Sequence, residues 1–182
     1  MTLIAEQELI HKLKSENYKQ GAFRELLKLY QERLYWHIRK IVLNHDDTDD
    51  VLQNTFIKIY NNIDGFKEES KLYSWMYRIA TNEAITFLNQ KAKRNNTTIE
   101  KEQEMAINNL ESDVYFEGDE IQLKLQKAIA TLPEKQQLVF NMKYFDDHTY
   151  EELSEILETS VGALKSSYHL AVKKITAYLT ED

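Results

Sequence analysis

The chain has 182 residues, no cysteine, 4 glycines and 1 proline, with a formal net charge of -7 at pH 7. Without cysteine there are no disulfides, thiolate metal sites or cysteine nucleophiles, and so little Gly and Pro argues against a turn-rich β fold. At 42% hydrophobic and 29% charged residues the composition is globular, and no apolar run is long enough to span a bilayer.

The first residues, MTLIAEQELIHKLKSENY, carry acids early and read as neither signal peptide nor anchor. No membrane insertion is expected, and a reducing cytoplasm is the expected location. The charge is unevenly spread. Residues 1–94 hold 15 Lys/Arg against 13 Asp/Glu, residues 95–120 hold 1 against 8, and residues 121–182 hold 7 against 9. Two near-neutral ends around an acidic strip predict weak binding to nucleic acid by the chain alone, because phosphate neutralisation supplies most non-specific affinity.

Phe23, Leu26, Leu27, Tyr30, Leu34, Ile38, Ile41 and Val42 recur at helical spacing and predict a long helix with one apolar stripe. Asn44-His45-Asp46-Asp47 reads as a turn. Thr48 or Asp49 then caps a second helix that buries Leu52, Phe56, Ile59, Tyr60 and Ile63. His45 among Asp46, Asp47, Asp49 and Asp50 is no metal site on this reading: acids at a helix start are favoured by its dipole, and no second element pins ligands.

The next stretch, Gly65–Arg94, opens with a polar loop, Lys67–Lys71. An amphipathic helix follows, with Leu72, Trp75, Met76, Ile79, Phe87 and Leu88 inward. Tyr73, Trp75 and Tyr77 lie beside Arg78, and Lys91, Lys93 and Arg94 close the helix. Taken alone, the aromatics suit a core and the terminal cations suit the helix dipole. Aromatic faces beside cations also suit unstacked bases and their phosphates. Residues 95–120 are polar, acidic and weakly periodic, and read as a flexible linker with a helical turn around Met105–Leu110.

Beyond the linker, Ile121, Leu125, Ala128, Ile129 and Leu132 form one helical stripe. Pro133 suits the first turn of a helix carrying Leu138, Val139, Met142 and Phe145. Thr149-Tyr150-Glu151-Glu152 is a capping box starting a helix with Leu153, Ile156 and Leu157 inward. After the turn Glu158-Thr159-Ser160, with Ser160 as cap, a last helix points Leu164, Tyr168, Ala171 and Ile175 inward. The first of this pair is acidic, while Ser160–Ile175 has Lys165, Lys173 and Lys174 and no acid. A short capped helix, a tight turn and a longer helix of opposite charge favour a DNA-binding helix-turn-helix over a plain hairpin. The expected class is all-α: a three-helix domain over 1–94, the linker over 95–120, and a four-helix domain with helix-turn-helix over 121–182.

Two separated blocks carry a family resemblance. DDVLQNTFIKIYNNIDGFKEESKLYSWMYRIATNEAITFLNQ resembles region two of bacterial RNA polymerase sigma factors of the extracytoplasmic-function type, and LPEKQQLVFNMKYFDDHTYEELSEILETSVGALKSSYHLAVKKI resembles their region four. The blocks stand in the family's order and the similarity spans about Ala22–Leu179 apart from the linker. The resemblance implies a subunit that binds core RNA polymerase and directs initiation at promoter DNA, with an anti-sigma factor as a further partner and no cofactor. It places Asp50, Leu52, Gln53 and Phe56 on the polymerase-docking surface. It places Phe66, Lys67, Ser70, Lys71, Trp75, Tyr77, Arg78 and Asn82 at the minus-ten element. There the Lys67–Lys71 loop receives a flipped base, and Trp75 either packs or touches DNA. Lys165, Ser166, Ser167, His169 and Lys173 fall on the minus-thirty-five reader. In GALKSSYHLAV, Ser167, Leu170 and Val172 replace arginines common in that pattern, which removes the side chains best suited to bidentate guanine contact.

The rivals are a helix-turn-helix regulator that binds duplex without polymerase and a helical decoy that occupies the polymerase without supporting transcription. An enzyme is the weakest alternative, since no titratable cluster converges with a nucleophile and its orienter.

Overall fold

A computed structural model describes residues 3–108 and 120–180, and among these every regular element is helical. In chain order they are α1 (Leu3–Leu13), α2 (Lys19–Val42), α3 (His45–Asn62), a 3-10 turn (Ile63–Gly65), α4 (Leu72–Asn95), α5 (Ile99–Asn108), α6 (Glu120–Ala130), α7 (Glu134–Tyr144), α8 (Tyr150–Leu157) and α9 (Val161–Thr180).

Helices α2, α3 and α4 pack on one another as the expected bundle, around Leu26, Leu34, Ile38, Ile59 and Met76. The α2–α3 corner starts earlier than the sequence suggests. Leu43 takes a left-handed conformation (φ 64°) with its N–H on the Arg39 carbonyl, and Asn44 caps α3 by accepting from Asp47 N at 2.9 Å. Thr48 and Asp49 are therefore inside the helix, not at its cap. Thr48 is buried and donates back to the Asn44 carbonyl at 2.6 Å. His45 opens α3 with Nδ1 2.7 Å from the Tyr35 hydroxyl.

No helical stripe is expected before Phe23, yet α1 buries Leu9, Ile10 and Leu13 against the bundle. Lys71 precedes α4 without a side-chain oxygen to cap it, and Glu6 of α1 supplies one instead, accepting from Leu72 N at 2.8 Å. Lys14 donates to the Phe66 carbonyl at 2.8 Å and to Glu68 at 2.6 Å. The 66–71 loop is thus fixed from outside its own sequence.

Helix α5 begins well before the turn expected around Met105–Leu110, and positions 109–119 lie outside the described residues. Its Gln103 and the Gln137 of α7 exchange carboxamide bonds of 3.2 and 3.3 Å, and Gln103 also donates to the Ile41 carbonyl. Leu43, Ile107 and Leu123 close a small cluster between α2, α5 and α6.

The C-terminal half departs from the expected pattern at three residues. Pro133 precedes α7 as its N-cap, with its carbonyl accepting from Gln136 and Gln137 N. Phe145 falls after α7 ends and is 37% exposed, while Phe140 fills the core, stacked 5.2 Å from Tyr144 and 6.0 Å from Tyr168. Ile121, in the first turn of α6, is exposed, and Leu123 is buried in its stead. The capping box forms in full: Thr149 Oγ1 accepts from Glu152 N at 3.2 Å while Glu152 accepts from Thr149 N at 3.0 Å. Ser160 accepts from Ala163 N at 3.4 Å at the start of α9. The two bundles are not apart. Met142, Leu153, Ile156 and Leu164 join the α2–α4 residues in one continuous core, with α8 lying along α4.

Candidate nucleic-acid and protein-docking surfaces

Helices α2 and α3 leave between them an open cleft of about 590 Å³. Asp50, Leu52, Gln53 and Phe56 all line it, together with Phe23, Leu27, Ile57 and Tyr60. Phe23 sets the floor, edge-on to Phe56 at 6.2 Å and to Tyr60 at 5.0 Å. Asp50 and Gln53 are exposed at the rim, whereas Leu52 and Phe56 are buried walls. An apolar trough with acids and amides on its edge suits a helix of a partner protein. Phe23, Leu27, Ile57 and Tyr60 were not assigned to docking from the sequence. Ile57 carried a signal: it is a large apolar residue off the inward stripe, and it is 51% exposed.

The residues assigned to the minus-ten element separate into two sides of α4. Lys71, Trp75, Arg78 and Asn82 follow helical spacing along one side; Lys71 and Asn82 are exposed and Trp75 and Arg78 half-buried. Lys67 is exposed and Ser70 half-buried in the loop, where Phe66 is buried beneath the Trp75 ring at 5.1 Å. Tyr77 is on the other side with Tyr73, their rings 4.4 Å apart, and is buried. Burial pushes both phenols well above their ordinary pKa. Of the basic cluster ending α4, Lys91 is engaged inside the protein, 2.5 Å from Asp47 and 4.0 Å from Glu102.

The C-terminal half reaches this same helix. The Tyr73 hydroxyl is 2.7 Å from His148 Nδ1. Arg78 donates to the Glu155 carbonyl and to Glu158 at 2.9 Å, and Lys71 meets Glu152 at 3.2 Å. Asp146 pairs with Lys40 and lies 3.4 Å from His37 Nδ1. Thr81 Oγ1, which donates to the Tyr77 carbonyl, accepts from His37 Nε2 at 2.8 Å. Burial would raise the Asp146 pKa, but the bonds and charges of His37 and Lys40 hold it below the usual value. His148 is pushed down to about 4, chiefly by burial.

On α9, Leu164, Tyr168, Ala171 and Ile175 face inward as expected, with Tyr168 only half-buried. Gly162, Ser166, His169 and Lys173 follow one another on the opposite, exposed stripe. Lys165 is exposed on the flank with Nζ 5.6 Å from the Tyr150 ring centroid, and Ser167 is half-buried toward the core side. Ser166 turns its hydroxyl back to the Gly162 carbonyl at 3.0 Å. The surface so presented is a short polar stripe with a cation at its far end.

Known proteins share both halves of this arrangement. Residues 26–94 match the family described as Sigma-70 region 2, and residues 122–175 match Sigma-70, region 4. The ECF RNA polymerase sigma factor SigW of Bacillus subtilis is 29% identical over 173 residues, spanning 89% of this chain and 92% of that protein. The ECF RNA polymerase sigma-E factor of Escherichia coli is 29% identical over 90% of this chain and 88% of its own length. Among solved structures, CnrH in complex with the cytosolic domain of CnrY superposes with a TM-score of 0.71 at 21% identity, covering 98% of this chain and 99% of that one. The sigma factor RpoE of Bartonella quintana, in complex with the anti-sigma factor NepR, gives 0.67 at 19% identity over 88% and 98%. With region 2 on α2–α4, region 4 on α6–α9, and both in the family's order, the chain belongs to the sigma-70 family of RNA polymerase sigma factors, in its ECF group.

Proposed function

We propose that this chain binds core RNA polymerase through the α2–α3 cleft and directs it to promoters, acting in the cytoplasm and performing no catalysis of its own. The observation that carries the docking assignment is the convergence of Asp50, Leu52, Gln53 and Phe56 on one open apolar trough. The minus-ten element is read by the 66–71 loop and the Lys71, Trp75, Arg78 and Asn82 side of α4, where cations and an aromatic face suit an unpaired strand. Phe66 supports this surface from beneath as the platform for Trp75. Tyr77 comes into play only where the C-terminal half has moved off α4. The minus-thirty-five element is met by Ser166, His169 and Lys173 on the outer stripe of α9, with Lys165 beside it and Ser167 supporting the helix from its inner flank. Residues 1–94 and 121–182 act as the two DNA-recognition units, with 95–120 joining them. An anti-sigma protein is a natural regulator, since two neighbours of this fold were solved with CnrY and NepR. Reconstitution with core polymerase and sequencing of transcript 5′ ends tests the reading. A defined promoter set is the expected result. Specific, tight duplex binding by the isolated chain with no change in start sites would point to a plain regulator instead.

A further inference from the structure

Charged side chains from α1, its connection and the start of α2 close on the segment that leads into α4. Lys19, opening α2, donates to Asp64 at 2.7 Å, and its Nζ lies 5.0 Å from the Tyr60 ring centroid. Lys14, in the connection after α1, donates to the Phe66 carbonyl at 2.8 Å and to the Glu68 carboxylate at 2.6 Å. Its Nζ is also 5.7 Å from the Phe66 ring centroid. Glu6 of α1 accepts from Leu72 N at 2.8 Å. The loop is thereby held before, within and after its tip. One held residue is costly to place. Glu68 has a left-handed backbone (φ 61°), which a residue bearing a Cβ adopts at a cost and keeps only where its surroundings over-determine it. Phe66 is in turn the buried platform for Trp75, 5.1 Å away. The lysine that grips the Phe66 carbonyl therefore also fixes the aromatic face beside the loop. Lys67 and Glu69, by contrast, are exposed to solvent.

We propose that Glu6 and Lys14 are positioning residues for base choice at the minus-ten element: α1 and its connection to α2 shape the 66–71 loop without themselves meeting DNA. This deepens the assignment of that loop to the minus-ten element and rests on it. The unit that selects the base is then the loop together with residues 52 to 66 positions earlier in the chain. Shape, more than stability, is what these contacts supply. The Lys14 and Glu68 side chains are 30% and 49% exposed, and ion pairs of that kind add little to global stability. A surface loop opens locally at small cost, so the loss of one directional bond changes its conformer population while the bundle stays folded.

The test uses holoenzyme reconstituted with core polymerase and a promoter library randomised over the minus-ten element. Lys14→Met keeps an unbranched stem and removes the donor, and Lys14→Arg restores a donor. Glu6→Ala removes the acceptor for Leu72 N, and Glu6→Gln keeps one. Lys19 stays unaltered because Tyr60, against which it lies, lines the docking cleft. Lys14→Met and Glu6→Ala should each narrow the ratio between the preferred base and the others at the flipped position by about fivefold, the worth of one hydrogen bond. Upstream preference and competition for core polymerase should not change, and Lys14→Arg and Glu6→Gln should recover most of the ratio. In the free chain, hydrogen exchange at the Leu72 amide should quicken by about the same factor in Glu6→Ala. An unchanged base ratio in either deleting variant removes that residue from the role, and in both it overturns the proposal. A loss that is uniform across the library also overturns it, since a merely structural role lowers the amount of folded protein and not its choice of base. Lys67→Ala/Ser70→Ala in the loop itself separates the two levels. If that variant shifts the base ratio while the Glu6 and Lys14 variants do not, the loop reads and α1 plays no part. If it too leaves the ratio unchanged, the minus-ten assignment of the loop is at fault, and the selectivity role of Glu6 and Lys14 falls with it.

Discussion

At the scale of single residues, Thr149 shows how a local signal becomes a measurable energy. Its hydroxyl and the Glu152 carboxylate satisfy one backbone N–H each at the start of α8. Thr149→Ala should cost about 1 kcal/mol, read as a lower midpoint in urea with unchanged slope. On α9 the two lysines should behave differently. Lys173 is exposed about three turns along the outer stripe from Gly162, beyond the early residues that reach bases. Lys173→Ala should weaken holoenzyme binding to all promoters about equally and reduce the salt slope by about one phosphate contact. Lys165 is one turn from the helix start, and Lys165→Ala should cost about 1–3 kcal/mol on preferred upstream sequences and less on others. Matched promoters differing only upstream separate the two outcomes, and equal sequence-blind losses would mean that α9 positions DNA without reading it.

At the scale of elements, the long stripes of α2 and α3 and the capping box were legible because each depends on residues three or four apart. Helix α1 was not, since its ten or so residues form only by packing Leu9, Ile10 and Leu13 on the bundle. The α3 cap was misplaced because the stretch from Asn44 to Asp49 offers several capping residues, and only the turn at Leu43 selects Asn44. The family resemblance proposes Tyr77 for DNA, and its position along α4 does not reveal that His37 of α2 and His148 before α8 lie against its ring. Asp50, Leu52, Gln53 and Phe56, which the family resemblance proposes for docking, line one trough, and its shape was not legible because it needs Phe23 and Leu27 from α2. Its test must spare the fold. Phe56 is a buried wall, and Phe56→Ala should cost about 3–5 kcal/mol of stability, so it confounds docking with folding. Gln53 is exposed on the rim. Gln53→Ala should leave the melting temperature within about a degree or two and still weaken competition for core polymerase, whereas undiminished competition would remove Gln53 from the docking surface.

At the scale of the whole molecule, what joins the halves is a set of contacts between residues far apart in sequence, which no periodicity encodes. His148 makes that union sensitive to pH. Its neighbours are Tyr73 and Tyr77 on α4, His37 and Lys40 on α2, Lys143 on α7, Asp146 beside it and Glu152 on α8. Burial holds the imidazole neutral down to about pH 4, with His37 and Lys40 adding to the effect and Asp146 and Glu152 opposing it. In the open form the group returns to its ordinary value near 6.5. Above that value both forms are neutral and pH has no effect through this residue. As pH falls from about 6.5 toward 4 the open form takes up a proton that the closed form does not. The closed form then loses about 1.4 kcal/mol per pH unit. The depressed Asp146 acts lower, its stabilisation fading only as pH falls below the ordinary carboxylate range. Between about pH 7.5 and 5 the histidine effect therefore stands alone among these two, and amounts to about 2 kcal/mol toward opening. The radius of gyration of the unaltered chain should rise over that interval while its helicity holds. His148→Phe keeps an aromatic ring against Tyr73 and Tyr77 but cannot titrate, so its radius should be flat over the same range. An unaltered chain that stays equally compact at both ends, or a His148→Phe chain that expands just as much, would show that this imidazole does not govern the closure.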